Sequence, residues 1–260
     1  MNTKCELIPV IQRFLETKGY RNFAPKAVFY DMDGVLFDSM PYHAQAWTEV
    51  MQSLDLPFQL ADAYMHEGRT GKDTINTFFR KYKNREATED VLNQVYERKA
   101  TLFNSIYKVR TIPGVIELMD FIKSYGIKAY LVTGSGQKSL LDTLNTWFPG
   151  YFDHTNMVTA FDVEHGKPNP EPYLRALAKS GLQPNEVFVV ENAPLGVQAA
   201  VAAGLFTFAV NTGILSDQVL ADECRKSGVV LHSMKELKQT LDSLPHVVYS
   251  EKLKNRCRRE

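Results

Sequence analysis

Two aspartates, Asp31 and Asp33, lie directly after the apolar run Ala27–Tyr30. Such a run predicts a buried parallel strand, and ligands of open α/β sheets bind beyond the carboxyl ends of the strands. Crowded carboxylates repel one another unless they share a cation, and Mg²⁺ prefers oxygen ligands. We therefore expect Asp31 to attack phosphorus, Asp33 to transfer protons, and Mg²⁺ to be the cofactor. The alternative is that the pair only caps a turn.

A second group of polar residues follows the predicted strand 129–132. Thr133 precedes the turn Gly134-Ser135-Gly136. Its hydroxyl and the amides of the turn can bind phosphoryl oxygens near the positive end of the next helix. Thr133 can equally be a simple helix cap.

Two further segments complete the set. Lys167, in Gly166-Lys167-Pro168, adds a positive charge that can neutralise the nucleophile and stabilise a transferring phosphoryl group. Glu191 and Asn192 follow another predicted strand and offer oxygens to a metal. Lys167 can instead be a surface lysine, and Glu191 and Asn192 can instead form a polar turn. Four such segments at successive strand ends nevertheless indicate a common site.

In chain order, these segments resemble the motifs of the haloacid-dehalogenase superfamily of hydrolases. The first motif is DMDGVLFDS at residues 31–39. The resemblance implies a doubly wound, Rossmann-like α/β core with a parallel sheet and an inserted small helical cap of the β-phosphoglucomutase-like branch. Asp38-Ser39, His43 and Trp47 share in the likeness. Asp33 favours phosphoryl transfer over dehalogenation, because a halide leaving group needs no proton.

The sequence departs from the mutase pattern at two positions. Asn192 replaces the usual aspartate ligand, so we expect the cap residue Glu67 to supply the missing carboxylate. Gly71 replaces the arginine that grips a second phosphate, and the nearby cations are Arg69 and Lys72. The pattern is similar to a pyrophosphatase branch, in which a glutamate reaching the metal would favour a compact substrate.

We therefore expect an enzyme that hydrolyses inorganic pyrophosphate through an aspartyl-phosphate intermediate. A β-phosphoglucomutase or sugar-phosphate phosphatase is the alternative, and a non-catalytic protein that binds a phosphorylated metabolite is the alternative of another class. The expected catalytic residues are Asp31, Asp33, Thr133 and Lys167. The expected metal ligands are Asp31, Asp33, Glu67, Glu191 and Asn192. The expected substrate-binding residues are Ser39, His43, Glu67, Arg69, Lys72, Gly134 and Ser135, with no catalytic role assigned to His43.

The elements that must position these residues follow from hydrophobic patterns. Apolar runs at 27–30, 129–132, 187–190 and 206–210 predict strands, and 114–125, 137–146, 171–179 and 194–203 predict the helices between them. Helical patterns at 43–54, 72–82 and 88–103 indicate the cap. The predicted domains are an N-terminal helical extension (1–25), the core (26–40 and 108–245), the cap (41–107) and a charged tail (246–260).

The composition excludes several other classes of protein. Thirty basic and thirty acidic residues cancel, so no global field favours nucleic acid or a membrane. Three dispersed cysteines and the absence of a signal-like segment favour a cytoplasmic protein. Residues 68–73 lack the Walker A spacing, and Gly134-Ser135-Gly136 lacks the third glycine of a dinucleotide fingerprint. The expected partner is a small phosphorylated substrate, and the expected state is a monomer or weak oligomer.

Overall fold

The computed structural model describes residues 3–136, 138–225, 227–244 and 248–249. Its strands are β1 (Asn22–Phe23), β2 (Ala27–Tyr30), β3 (Lys128–Val132), β4 (Met157–Val158), β5 (Val187–Glu191), β6 (Phe206–Val210), β7 (Gly228–Leu231) and β8 (Val248–Tyr249). Six of them form a parallel sheet in the order β4-β3-β2-β5-β6-β7, and β1 pairs with β8 in an antiparallel ribbon. The predicted parallel α/β sheet is confirmed.

The helices of the described residues are α1 (Thr3–Lys18), α2 (Met40–Gln52), α3 (Leu60–Met65), α4 (Gly71–Lys83), α5 (Glu89–Ile106), α6 (Val115–Ser124), α7 (Lys138–Trp147), α8 (Glu171–Ser180), α9 (Pro194–Ala202), α10 (Asp217–Cys224) and α11 (Met234–Ser243). A single 3₁₀ turn, Pro184–Glu186, precedes β5. None of these helices is long and apolar enough to cross a bilayer.

Both faces of the sheet are covered, which explains the continuous apolar runs of its central strands. In β2, Val28 and Tyr30 pack into one hydrophobic cluster, and Ala27 and Phe29 pack into another on the opposite face. Helices α1, α6, α7 and α11 contribute to the first cluster, and α8 and α9 contribute to the second. Loops at the carboxyl ends of the strands are thereby held at one edge of a rigid sheet.

Helices α2 to α5 form the cap between β2 and β3, with a hydrophobic cluster of their own. Helix α5 belongs to both parts of the molecule. Leu92 and Val95, near its start, pack in the cap cluster, whereas Phe103, near its end, packs in the large core cluster. The cap is therefore joined to the core by a continuous helix as well as by its linkers.

The predicted N-terminal extension is packed on the core. Leu7, Ile11, Phe14 and Leu15 of α1 are buried in the large core cluster. Of the predicted charged tail 246–260, only β8 is described, and the remainder lies outside the described residues. The sequence patterns did not predict β1, β4, β7, β8, α3, α10 or α11.

Candidate active site

The loop after β2 places two carboxylates at the carboxyl edge of the sheet. Asp31 and Asp33 are both buried, at 3% and 6% exposure. The loop turns tightly because the amides of Leu36 and Phe37 donate to the carbonyl of Met32. Gly34 has φ +79°, and a Cβ there would lie 2.1 Å from Nδ2 of Asn192. A glycine is therefore required where this loop meets the loop after β5.

Lys167 connects the first aspartate to the neighbouring strands. Its Nζ donates to Oδ1 of Asp31 at 2.6 Å, to Oε1 of Glu191 at 2.7 Å, and to the carbonyl of Val132 at 3.0 Å. The side chain is fully buried. These carboxylates hold the pKa of Lys167 well above its usual value despite burial. Lys167 is thus a fixed positive charge against the proposed nucleophile.

Glu191 is expected from the sequence to bind metal, but it makes four hydrogen bonds within the protein. Oε1 accepts from Lys167 and from the hydroxyl of Tyr173, and Oε2 accepts from the amides of Asn192 and Ala193. Glu191 is fully buried. These four contacts hold Lys167 and the loop after β5 in place, and metal ligation by Glu191 stays a prediction.

A chain of side chains runs from Asp33 into the cap. Oδ1 of Asp33 accepts from Oγ of Ser39 at 2.5 Å and lies 3.0 Å from Nε2 of His43. Nδ1 of His43 lies 2.6 Å from Nζ of Lys99, a lysine only 3% exposed. Ser39 and His43, which were expected to bind substrate, thus contact Asp33 directly.

The electrostatics of the two aspartates differ. Burial, together with the charges of Glu191 and Asp33, raises the pKa of Asp31 to about 8 even though Lys167 lowers it. Burial also acts to raise the pKa of Asp33, but His43 and the hydrogen bond from Ser39 outweigh it and hold that pKa below its usual value. Burial lowers the pKa of Lys99 to about 7.

The loop after β3 supplies a cradle of polar groups. Oγ1 of Thr133 accepts from the amide of Ser135 at 3.0 Å, which fixes the turn. Thr133, Gly134 and Ser135 line the same pocket as Asp31 and Asp33, a space of about 60 Å³ between core and cap. The backbone comes so close to the cap that a Cβ at Gly134 would lie 2.1 Å from the carbonyl oxygen of Gly68.

The cap residues expected at the site fall into two groups. Glu67 and Arg69 line the pocket, and both carboxylate oxygens of Glu67 lie 3.2 Å from Nδ2 of Asn192. Lys72 lies elsewhere: it pairs with Glu89 on the surface and is not among the pocket-lining residues. Arg69 is engaged by Asp73, to which it donates at 2.6 Å.

The donor set of the pocket fits a divalent cation. The carboxylates of Asp31, Asp33 and Glu67 converge there, and burial followed by the charge of Asp31 raises the pKa of Glu67 well above its usual value. Oδ1 of Asn192 is buried without a hydrogen-bond partner in the structure. No group of three His, Cys, Asp or Glu side chains among the described residues is spaced as a preformed metal cage. Mg²⁺, which retains waters and uses few protein ligands, does not require one.

Sequence reasoning missed three pocket or network residues: Tyr96, Lys99 and Tyr173. Tyr96 and Lys99 line the pocket, and Tyr173 supports Glu191. A signal for Lys99 was present, since it lies at helical spacing on the stripe formed by Leu92, Val95 and Phe103. A lysine on an otherwise apolar stripe indicates a buried, partnered charge.

Similarity to known proteins agrees with this geometry. Residues 28–210 match the haloacid dehalogenase-like hydrolase family. The chain belongs to this family. The family predicted from the sequence is confirmed, together with the fold class that it implied.

Named relatives of this family member act on phosphorylated sugars and polyols. A phosphorylated carbohydrates phosphatase of Thermotoga maritima is 33% identical over 69% of this chain and 82% of its own. Hexitol phosphatase A of Escherichia coli is 30% identical over 83% and 94%, respectively. A solved structure from Bacteroides vulgatus, provisionally named a β-phosphoglucomutase, superposes with a TM-score of 0.87 at 49% identity, covering 92% of this chain and 96% of that one. The chain is thus similar to phosphatases named for phosphorylated carbohydrates and hexitols and to a structure named for a phosphoglucomutase.

Proposed function

We propose that this protein is a magnesium-dependent phosphohydrolase that works through a phosphorylated Asp31. The observation that carries the proposal is the position of Asp31. It is buried in a pocket, paired with Lys167 at 2.6 Å, and shares that pocket with Asp33 and the Thr133 cradle. A carboxylate confined in this way can attack phosphorus with little reorganisation.

In the first step, an oxygen of Asp31 forms a bond to phosphorus while the bond to the leaving oxygen breaks. The ammonium of Lys167 and the amides near Ser135 stabilise the charge on the transferring group. Asp33, which enters this step protonated, delivers its proton to the leaving oxygen and is left ionised, and His43 lies at hydrogen-bond distance from Asp33 to orient it. A bound Mg²⁺ would be held by Asp31, Asp33, Asn192 and Glu67, and it would supply positive charge that offsets the repulsion between nucleophile and phosphate.

In the second step, water attacks the phosphorus of the aspartyl phosphate. Asp33 removes the water proton, the acyl-phosphate bond breaks, and orthophosphate leaves with Asp31 regenerated. Asp33 is ionised once it has given up its proton in the first step, and its lowered pKa, for which His43 and Ser39 outweigh the effect of burial, favours that form for this role. The same carboxyl group thus acts as acid and then as base.

Phosphorylated sugars or polyols are the substrate class that the relatives support. The phosphatases of T. maritima and E. coli described above are named for such substrates. The similarity covers core and cap together, so it extends to the part that selects substrates. We infer that a sugar-phosphate monoester is a substrate.

Inorganic pyrophosphate is the second candidate, and a specific contact favours it. Glu67 of the cap reaches the core loop at Asn192 and lines the pocket, whose volume is about 60 Å³. Tyr96 also occupies the space that a side chain at position 71 would need, since a Cβ at Gly71 would lie 2.3 Å from its ring. A compact anion fits such a pocket more readily than a hexose bisphosphate.

A panel of pyrophosphate, hexitol phosphates, hexose phosphates and β-glucose 1-phosphate with its bisphosphate activator separates the candidates. Release of orthophosphate from hexitol or hexose phosphates supports the phosphatase, and a preference for pyrophosphate supports the second candidate. Isomerised sugar without net phosphate release would show a mutase. Tight binding of a phosphate compound with no turnover of any would overturn the enzymatic proposal.

A further inference from the structure

Phe103 lies where the cap meets the core, beside the hydrogen-bonded chain formed by Asp33, His43 and Lys99. It is a fully buried residue near the end of α5. Its ring stacks on the imidazole of His43, with centroids 4.1 Å apart and planes at 18°. The ammonium of Lys99 lies 5.2 Å from the same ring, one turn earlier on α5. Phe103 therefore contacts both His43 and Lys99, the two side chains that extend the hydrogen-bonded chain from Asp33.

The far side of Phe103 is also fixed. Tyr107 stacks on it at 4.7 Å, and Tyr42 meets Tyr107 edge-on at 5.2 Å. Tyr42 and His43 are adjacent in α2, the helix that leads into the cap, whereas Phe103 and Tyr107 lie where the chain returns to the core. The stack therefore joins the two connections between cap and core.

We propose that Phe103 is a positioning residue that holds the imidazole of His43 in the plane where Nε2 reaches Asp33. Hydrogen bonds to Asp33 and Lys99 hold the two ring nitrogens at 3.0 and 2.6 Å, but within the limits of the Cβ–Cγ bond the ring plane can still tilt about the line between them. The stacked ring removes that tilt. This inference rests on the proposed function, because it assigns to Phe103 control over the group that protonates the leaving oxygen.

The proposal predicts a selective defect. Loss of the stacking plane should displace His43 and weaken its hydrogen bond to Asp33, and a poorly oriented general acid harms poor leaving groups most. Phenyl phosphate and 4-nitrophenyl phosphate have similar shapes, but phenolate is the more basic leaving group. We expect Phe103→Leu to lower kcat/KM by about 30-fold for phenyl phosphate and by less than about 5-fold for 4-nitrophenyl phosphate.

Three further variants separate positioning from packing. Phe103→Met replaces the ring with an unbranched side chain of similar volume that has no planar face. It should show the same selective loss, and it takes the place of Phe103→Leu if that variant does not fold. Phe103→Tyr restores the ring and should restore the ratio of the two substrates. Phe14→Leu is the matched control, because Phe14 is also a fully buried helical residue of the large core cluster and packs on Phe206 and Phe23 instead of on the site.

Crystal structures of the Met and Leu variants give a readout independent of activity. The proposal expects the distance from Nε2 of His43 to Oδ1 of Asp33 to exceed about 3.5 Å, the limit of a hydrogen bond. An unchanged distance, or equal losses on both aryl phosphates, would overturn it. If the wild-type protein hydrolyses no phosphate compound, the proposed function fails, and the measured distances still decide whether Phe103 positions His43.

Discussion

Replacing Lys167 by methionine tests whether the buried ion network is organised as the structure indicates. The ammonium lies 2.6 and 2.7 Å from two carboxylates, and neither it nor Glu191 is exposed. At an effective dielectric of 20, a contact with an ionised carboxylate represents roughly 6 kcal/mol of gross attraction, and for Asp31, whose pKa is about 8, this attraction grows as the carboxyl ionises. Desolvation cancels much of this, and removing one partner of a buried pair costs about 3–5 kcal/mol. We expect a loss of about 3 kcal/mol in the free energy of unfolding at pH 7.5.

The loss should grow with pH in the presence of a chelator. An acid whose pKa is raised on folding contributes stability below its unfolded pKa, and that stability is lost as pH rises to the folded value. For Asp31 the window runs from the ordinary aspartate pKa of 3.8 to about 8 in the wild type. Without Lys167 the folded pKa is higher, so the variant continues to lose stability above pH 8 where the wild type does not. The difference should increase there by up to about 1.4 kcal/mol per pH unit.

Urea denaturation followed by circular dichroism at pH 7.5 and pH 9 measures both effects. Lys72→Met is the matched control, since Lys72 pairs with Glu89 at the same 2.6 Å, but both side chains are mostly exposed. Such a surface pair contributes about 0–1 kcal/mol. If Lys167→Met costs no more than Lys72→Met, or if its cost does not depend on pH, the buried network does not carry the charges assigned to it.

Three other outcomes follow from the site. Asp31→Asn should lower kcat at least about 100-fold, or roughly 3 kcal/mol, in a phosphate-release assay, and activity near the wild-type level would exclude Asp31 as nucleophile. In chelator, Asp31→Asn should become more stable relative to the wild type between pH 5 and pH 8. The reason is that Asp31 in the wild type, with a pKa of about 8, costs the folded state more stability as pH rises over that range. A stability difference that does not change with pH would contradict this. Gly134→Ala should reduce kcat/KM at least about 10-fold because its Cβ would lie 2.1 Å from the carbonyl of Gly68, whereas Gly136→Ala, whose nearest atom is 3.3 Å away, should change it only a few-fold; similar effects of the two would refute close docking of the cap.

The central strands were predictable because each is apolar at nearly every position. The runs predicted at 27–30 and 206–210 coincide with β2 and β6. Strand β4 was missed because it has only two residues, and α3 because a six-residue helix is too short to show a period. The strand β7 follows directly on α10 and is buried only in part, so its apolar run gave a weaker signal.

The site was predictable where its residues follow strands, and less so where they lie on the cap. Asp31, Thr133 and Lys167 converge because parallel strands bring their carboxyl ends to one edge. The positions of Lys72 and Lys99 could not be read in the same way. Which of two cap lysines points inward depends on how α4 and α5 pack, and spacing along one helix does not determine packing between two.

The dual membership of α5 limits how new specificities can be built on this scaffold. Leu92 and Val95 belong to the cap cluster, and Phe103 belongs to the core. A chimera that exchanged the whole insertion would replace the last turns of α5. It would thereby remove Phe103 from the core of the recipient protein. Chimeras joined within α5, between residues 95 and 99, would take the cap from the donor protein. They would keep the core-facing end of α5, with Phe103, from the recipient.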